Sequence, residues 1–119
     1  MKKIYRIKKK SEIDVLFKEK TKKSNSYFTI YLKKRDDTTN FRFALSIGRK
    51  YGNAVERNKI KRQIRSIVRL NKGIIKSDVE FVIVIKPQAN GLLFEEINKY
   101  ILYLLNKLNV LENENEKTK

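Results

Sequence analysis

The chain has 119 residues, of which 29 are Lys or Arg and 13 are Asp or Glu, a formal charge of +16. The length suits one compact domain over residues 1–119, and the absence of His and Cys excludes disulfides, thiolate chemistry and the commonest general base and metal ligand. So large an excess of one sign repels itself and calls for a polyanion. The apolar runs at 81–85 and 100–105 fall far short of the roughly 20 residues that span a bilayer, and no apolar stretch follows the basic start, so nucleic acid in the cytoplasm is expected rather than a membrane.

Residues 1–10 read as a basic, extended leader. Ser11 to Lys20 reads as a short helix, with Ser11 as its cap, Glu12 and Asp14 at its N-terminal end, and Ile13, Leu16 and Phe17 on one face. Tyr27 to Lys33 alternates as a strand, with Phe28, Ile30 and Leu32 on one side and Tyr27, Thr29 and Tyr31 on the other. The turn-rich segment 35–40 leads to a second strand, Phe41 to Ile47, and the two strands are expected to pair as a hairpin.

After a loop with two glycines, Asn53 caps a helix running to about Leu70, and Gly73 closes it. Glu80 to Lys86 is a third strand, stopped by Pro87. It sets Val82, Val84 and Lys86 on one face and Phe81, Ile83 and Ile85 on the other. A last helix from Leu93 to Leu108 carries a wide apolar stripe, and residues 112–119 form a polar tail expected to fray. The order α-β-β-α-β-α predicts an α+β fold, a single sheet with helices packed on it. A βαβ crossover results if the second and third strands run parallel.

Arginine is not spread like lysine. Six of the eight arginines lie between Arg42 and Arg69, and residues 38–77 hold eleven basic residues against one acid, Glu56. On a helical wheel Ile60, Ile64, Ile67 and Val68 share an arc of about 100°, and Asn58, Lys61, Arg62, Arg65 and Arg69 fill the next arc of about 100°. The first arc is core. The second is a cationic row suited to phosphates, and arginine forks and Asn58 also suit base edges. The preceding loop adds Arg49 and Lys50 beside Gly48 and Gly52, which fits either backbone approach to an anion or an ordinary strand-to-helix turn.

The stretch SIGRKYGNAVERNKIKRQIR resembles the signature of the bacterial ribonuclease P protein family, roughly S-x-S-K-K-x-G-N-A-V-x-R-N-R-x-K-R-x-x-R. Ser46, Lys50, Gly52, Asn53, Ala54, Val55, Arg57, Asn58, Lys61, Arg62 and Arg65 match, while Gly48, Arg49 and Lys59 depart conservatively. RIKKKSEIDVLF is similar to the family's N-terminal segment, with Phe17 at its second aromatic position and Ile13 replacing the first. YFTIYL is similar to its first strand, and 81–87 to the strand that ends in Lys-Pro.

The resemblance implies a ribosomal protein S5 domain 2-like fold with a left-handed crossover. It also implies a protein that binds ribonuclease P RNA and the 5′ leader of precursor tRNA and assists removal of the leader. The RNA would carry the cleavage and require Mg²⁺. The protein would supply no catalytic residue, no cofactor or metal site and no pocket for a small-molecule substrate. Carried over by position, the RNA-binding set is Arg49, Lys50, Asn53, Arg57, Asn58, Lys59, Lys61, Arg62 and Arg65, to which the helical wheel adds Arg69, and the leader cleft is Ile13, Phe17, Tyr31 and Lys86.

The residues support this in two ways. A hydrolytic site of protein side chains lacks its parts, since the basic half holds no His, Cys or clustered acid. Tyr31 and Lys86 share a sheet face beside Phe17, and aromatics next to cations suit single-stranded RNA, although Phe17 and Tyr31 also suit packing of the first helix on the sheet. The competing readings are another RNA-binding protein such as a ribosomal protein, a membrane-active cationic protein, and a stand-alone nuclease.

Overall fold

A computed structural model describes residues 2–36 and 39–112. After a single 3₁₀ turn at Lys3–Tyr5 the elements are α1 (Lys10–Phe17), β1 (Lys22–Ser24), β2 (Phe28–Lys34), β3 (Arg42–Ile47), α2 (Ala54–Leu70), β4 (Val79–Ile85) and α3 (Phe94–Lys107). The four strands form one sheet in the order β1-β2-β4-β3. β1 and β4 run antiparallel to β2, whereas β3 runs parallel to β4. The α+β architecture and the crossover through α2 match expectation.

The expected hairpin between the strands at 27–33 and 41–47 does not form, because β4 lies between them. Tyr31 faces Val82, and Ala44 faces Val82 from the other side. β4 is apolar on both faces and is buried at six of its seven positions, as a central strand must be. β1 carries no apolar pattern and was not anticipated. Asn25 turns the chain from β1 into β2 by accepting the Tyr27 and Phe28 amides on Oδ1 at 2.9 and 2.8 Å, an Asx turn.

The sheet separates two cores. On one face Phe28, Ile30, Leu32, Phe43, Phe81, Ile83 and Ile85 pack against Ile60, Ile64, Ile67 and Val68 of α2 and Ile97, Ile101, Leu104 and Leu105 of α3. On the other, Ala44 and Val82 meet Leu16 of α1 and Ile7, with Ile13 and Tyr31 at the margin. The face assignments hold within the strands. Tyr27 departs from its assignment because β2 begins one residue later: it lies in the turn, and its ring stacks on Tyr100 of α3 at 5.0 Å.

Three helix boundaries also depart from expectation, and the first is the end of α1, at Phe17 instead of Lys20. α1 starts at Lys10 after an extended Lys9 and has no side-chain cap, so Ser11 is not its cap. α2 ends at Asn71, whose Nδ2 donates to Ile67 O at 2.8 Å. Gly73 does not close it in a left-handed conformation, since Gly91 is the one glycine among the described residues whose φ lies in the left-handed range. The leader is not a free extended arm either. Beyond its 3₁₀ turn, Arg6 bridges Phe43 in parallel, and the Ile7 amide donates to Phe43 O at 3.0 Å. The expected frayed tail falls, except for Glu112, outside the described residues.

Candidate nucleic-acid interface

The N-terminus of α2 is fixed by a capping box. Asn53 Oδ1 accepts the Glu56 amide at 2.9 Å, and Glu56 Oε1 accepts the Asn53 amide at 3.0 Å. The Glu56 carboxylate also accepts from Asn90, and these bonds hold it below the usual glutamate range despite some opposing desolvation. A Cβ at Gly52 would come within 2.5 Å of Glu56 Oε1 and displace that carboxylate from the cap. Arg57 Nη1 donates to Gly52 O at 2.8 Å and so braces the same turn. Burial and the Glu56 charge push the Tyr51 hydroxyl up.

With its start fixed and its isoleucines buried, α2 turns its cationic row outward. Asn58, Lys61, Arg62, Arg65, Ser66 and Arg69 line one groove of about 610 Å³, and Arg6 joins it from the N-terminal segment. Among the described residues no carboxylate forms an ion pair with any of these cations, since every such pair involves Arg35 or Arg42. Burial, reinforced by the neighbouring charge of Arg6, pulls the Arg65 guanidinium below its ordinary value. An acid-free groove of arginines and a lysine can neutralise a run of phosphates and fork onto their oxygens.

The other expected RNA-binding residues lie apart from this groove. Arg49 and Lys50 are exposed on a 3₁₀ turn before α2. Asn53 is committed to the cap and Arg57 to the brace. Lys59 lines a separate depression with Tyr51, Asn90 and Leu92. Arg6 was missed as a site residue. Its signal was the apolar pair that flanks it, Tyr5 and Ile7, which anchors the segment on both sides.

The opposite sheet face holds the expected cleft residues. Phe17, at the end of α1, meets Tyr31 edge-on with ring centroids 5.4 Å apart, and Lys22 Nζ lies 5.3 Å from the centre of the Tyr31 ring. Ile13 packs on the small core instead of standing free. Lys86 Nζ donates to Ser24 Oγ at 2.9 Å and Asn25 O at 2.6 Å, which ties its charge to the β1–β2 turn. Beyond Phe17 a half-exposed row crosses the sheet: Thr29, Val84 and Ser46, in register. Thr29, set on this side by the alternation of its strand, and Lys22 belong to this surface, and Lys22 escaped sequence reading because β1 itself did.

One ionic cluster anchors α1. Arg42 of β3 donates to Glu80 of β4 at 2.8 Å and to Glu12 of α1, and Arg35 stands 3.4 Å from the same Glu80 oxygen. Burial pulls Arg42 down, but the two carboxylates outweigh it and raise the guanidinium above its ordinary value. Among the described residues there is no group of three or more acidic side chains placed to share a metal, and no helix is long and apolar enough to cross a membrane.

Comparison with known proteins agrees with this geometry. A family model described as Ribonuclease P matches residues 1–109. The ribonuclease P protein component of Acholeplasma laidlawii is 46% identical over 114 residues, covering 96% of this chain and 97% of that protein. Its counterpart in Phytoplasma australiense is 44% identical over 115 residues, covering 97% and 100%. Among solved structures, the Staphylococcus aureus RNase P protein superposes with a TM-score of 0.84 at 29% identity, covering 91% of this chain and 98% of that one. The RNase P protein from Thermotoga maritima gives 0.78 at 28% identity, covering 86% and 96%.

Proposed function

The chain belongs to the ribonuclease P protein family, and from that premise we propose that it seats the cationic row of α2 on ribonuclease P RNA and receives the 5′ leader of precursor tRNA across the face carrying Phe17 and Tyr31. It is the protein component of the ribonuclease that matures tRNA 5′ ends. In this reading the RNA performs the cleavage with its own Mg²⁺. The protein contributes charge neutralisation and substrate positioning in the cytoplasm.

The observation that carries the reading is the acid-free groove on α2. A helix face solvated for its own sake mixes signs, because opposite charges at i, i+4 stabilise it. This face has only cations and forgoes that stabilisation, which a polyanion restores. The groove and the aromatic face lie on different sides of the molecule, so the large RNA and the leader do not compete for one surface. On the leader face, Phe17 and Tyr31 offer rings on which any base can stack, and Thr29 and Ser46 offer hydroxyls.

Reconstitution tests this. The protein, its cognate ribonuclease P RNA and a precursor tRNA are combined at a Mg²⁺ concentration too low for the RNA alone. The intact protein restores 5′ processing, and a protein with Arg62→Ala and Arg65→Ala does not. Equal rescue by both proteins would remove the α2 groove from the mechanism, and cleavage by the protein with no RNA present would replace the reading with a protein nuclease.

A further inference from the structure

Arg6 and Arg65 approach each other from elements far apart in the chain, and nothing acidic among the described residues separates them. Arg65 lines the α2 groove and also a smaller one of about 140 Å³ that continues past Ile7 and Ile13 toward the opposite sheet face, and Arg6 lines both as well. Arg6 cannot easily retreat. Tyr5 before it sits on Phe41 with ring centroids 4.9 Å apart, and Ile7 after it is buried and bonded to Phe43 O. Asn40 Nδ2 holds Ile4 O at 2.9 Å. The N-terminal segment is thus strapped along the outer edge of β3, and the strap brings a cation to a cation.

Such a contact opposes docking of the strap when the protein is alone. An anion between the two guanidiniums reverses its sign, since each fork then finds an oxygen acceptor. We infer that Arg6 and Arg65 form a two-element clamp on one stretch of the RNA backbone, so that RNA binding tightens the N-terminal strap and the docked strap tightens RNA binding. The coupling is reciprocal by necessity. The inference rests on the reading that α2 faces RNA, and it adds a binding residue outside the helix together with a conformational consequence.

Amide exchange at Ile7, whose N–H holds the strap, reads the consequence directly in the full chain. In the free protein Arg65→Ala relieves repulsion, so Ile7 exchanges about two- to fivefold more slowly than in the unaltered chain. In the complex with ribonuclease P RNA the order inverts, and Ile7 of Arg65→Ala exchanges faster. Affinity gives a second reading. Arg6→Ala and Arg65→Ala each weaken RNA binding about 10- to 100-fold, and the double variant loses little more than either alone.

Additive losses, or an Ile7 exchange rate that responds to Arg65→Ala with the same sign in both states, would overturn the clamp. Arg6 is exposed, so its truncation leaves the fold in place. Arg62→Ala separates the two claims. If Arg6→Ala, Arg65→Ala and Arg62→Ala all leave RNA affinity and its salt dependence unchanged, the reading of α2 fails along with the clamp. If Arg62→Ala weakens binding while Arg6 and Arg65 act additively, the clamp alone fails.

Discussion

Replacing Arg62 and Arg65 together by alanine changes how RNA binding responds to salt, by an amount the structure sets. Five cations line the groove: Arg6, Lys61, Arg62, Arg65 and Arg69. Each phosphate neutralised releases counterions worth about 0.7 to 0.9 in the slope of log affinity against log salt, so five contacts give the groove a slope of about −3.5 to −4.5. Raising salt from about 50 to about 200 mM, a fourfold change, then costs about 130- to 500-fold in affinity through the groove. The double variant keeps three of the contacts, so its slope is shallower by about 1.4 to 1.8 and the same salt step costs about 20- to 40-fold. Fluorescence anisotropy of labelled ribonuclease P RNA, titrated at four or five salt concentrations, measures both lines. Lys99→Ala serves as the control, since Lys99 is exposed on α3 away from the groove, and its slope should equal that of the intact chain. Parallel lines for the intact chain and the double variant, whatever their vertical offset, would refute the phosphate role of these arginines.

Tyr31→Ala removes a ring from the leader face and should weaken binding of a long-leader precursor by about 1 to 3 kcal/mol per unstacked base while sparing mature tRNA; equal losses in paired titrations would contradict a leader site there. Glu80→Ala strips a 5% exposed carboxylate from Arg35 and Arg42 and should cost about 2 to 4 kcal/mol, read from urea unfolding. A loss below about 1 kcal/mol would mean that the cluster is worth no more than a solvated pair. Asn53→Ala should cost about 1 kcal/mol by unmaking the cap, and a thermal melt that does not move would contradict it. Because the folded-state pKa of Glu56 is depressed, its stabilisation is present above the ordinary glutamate range and disappears as pH falls through the lower folded value. Glu56→Gln should therefore flatten the acid side of the stability profile, as measured by circular dichroism against pH.

α2 was legible in the sequence almost to the residue, because cap, apolar period and charge row all describe one local object. Asn53, the isoleucine arc and the arginines needed no tertiary information. Which strands neighbour each other is a different kind of fact. Alternation reports the face on which Phe43 or Tyr31 lies but says nothing about the strand beside it, so the segments at 27–33 and 41–47 were joined through the turn between them. The corrective signal was present in Val79–Ile85, whose nearly unbroken apolar run marks a strand covered on both faces and hence a central one. β1, only Lys-Lys-Ser, has no pattern to detect. α1 starts at Lys10 with no side-chain cap, and its first turn is held by Glu12 accepting from Arg42, a contact between residues thirty positions apart that no local rule contains. Arg6 entered the groove for the same reason, through pairing with a strand far along the chain.

The order of synthesis gives the central strand a further meaning. β2 and β3 both lean on β4, and β4 is the last strand to leave the ribosome. A nascent chain that ends at residue 78 can close β1 on β2 but has nothing to insert between β2 and β3. Their edges and the apolar side of α2 must wait, and closing the sheet is a late and long-range event, the kind that slows folding. Until Ile85 emerges, the polypeptide is a cationic thread beside a great deal of ribosomal RNA.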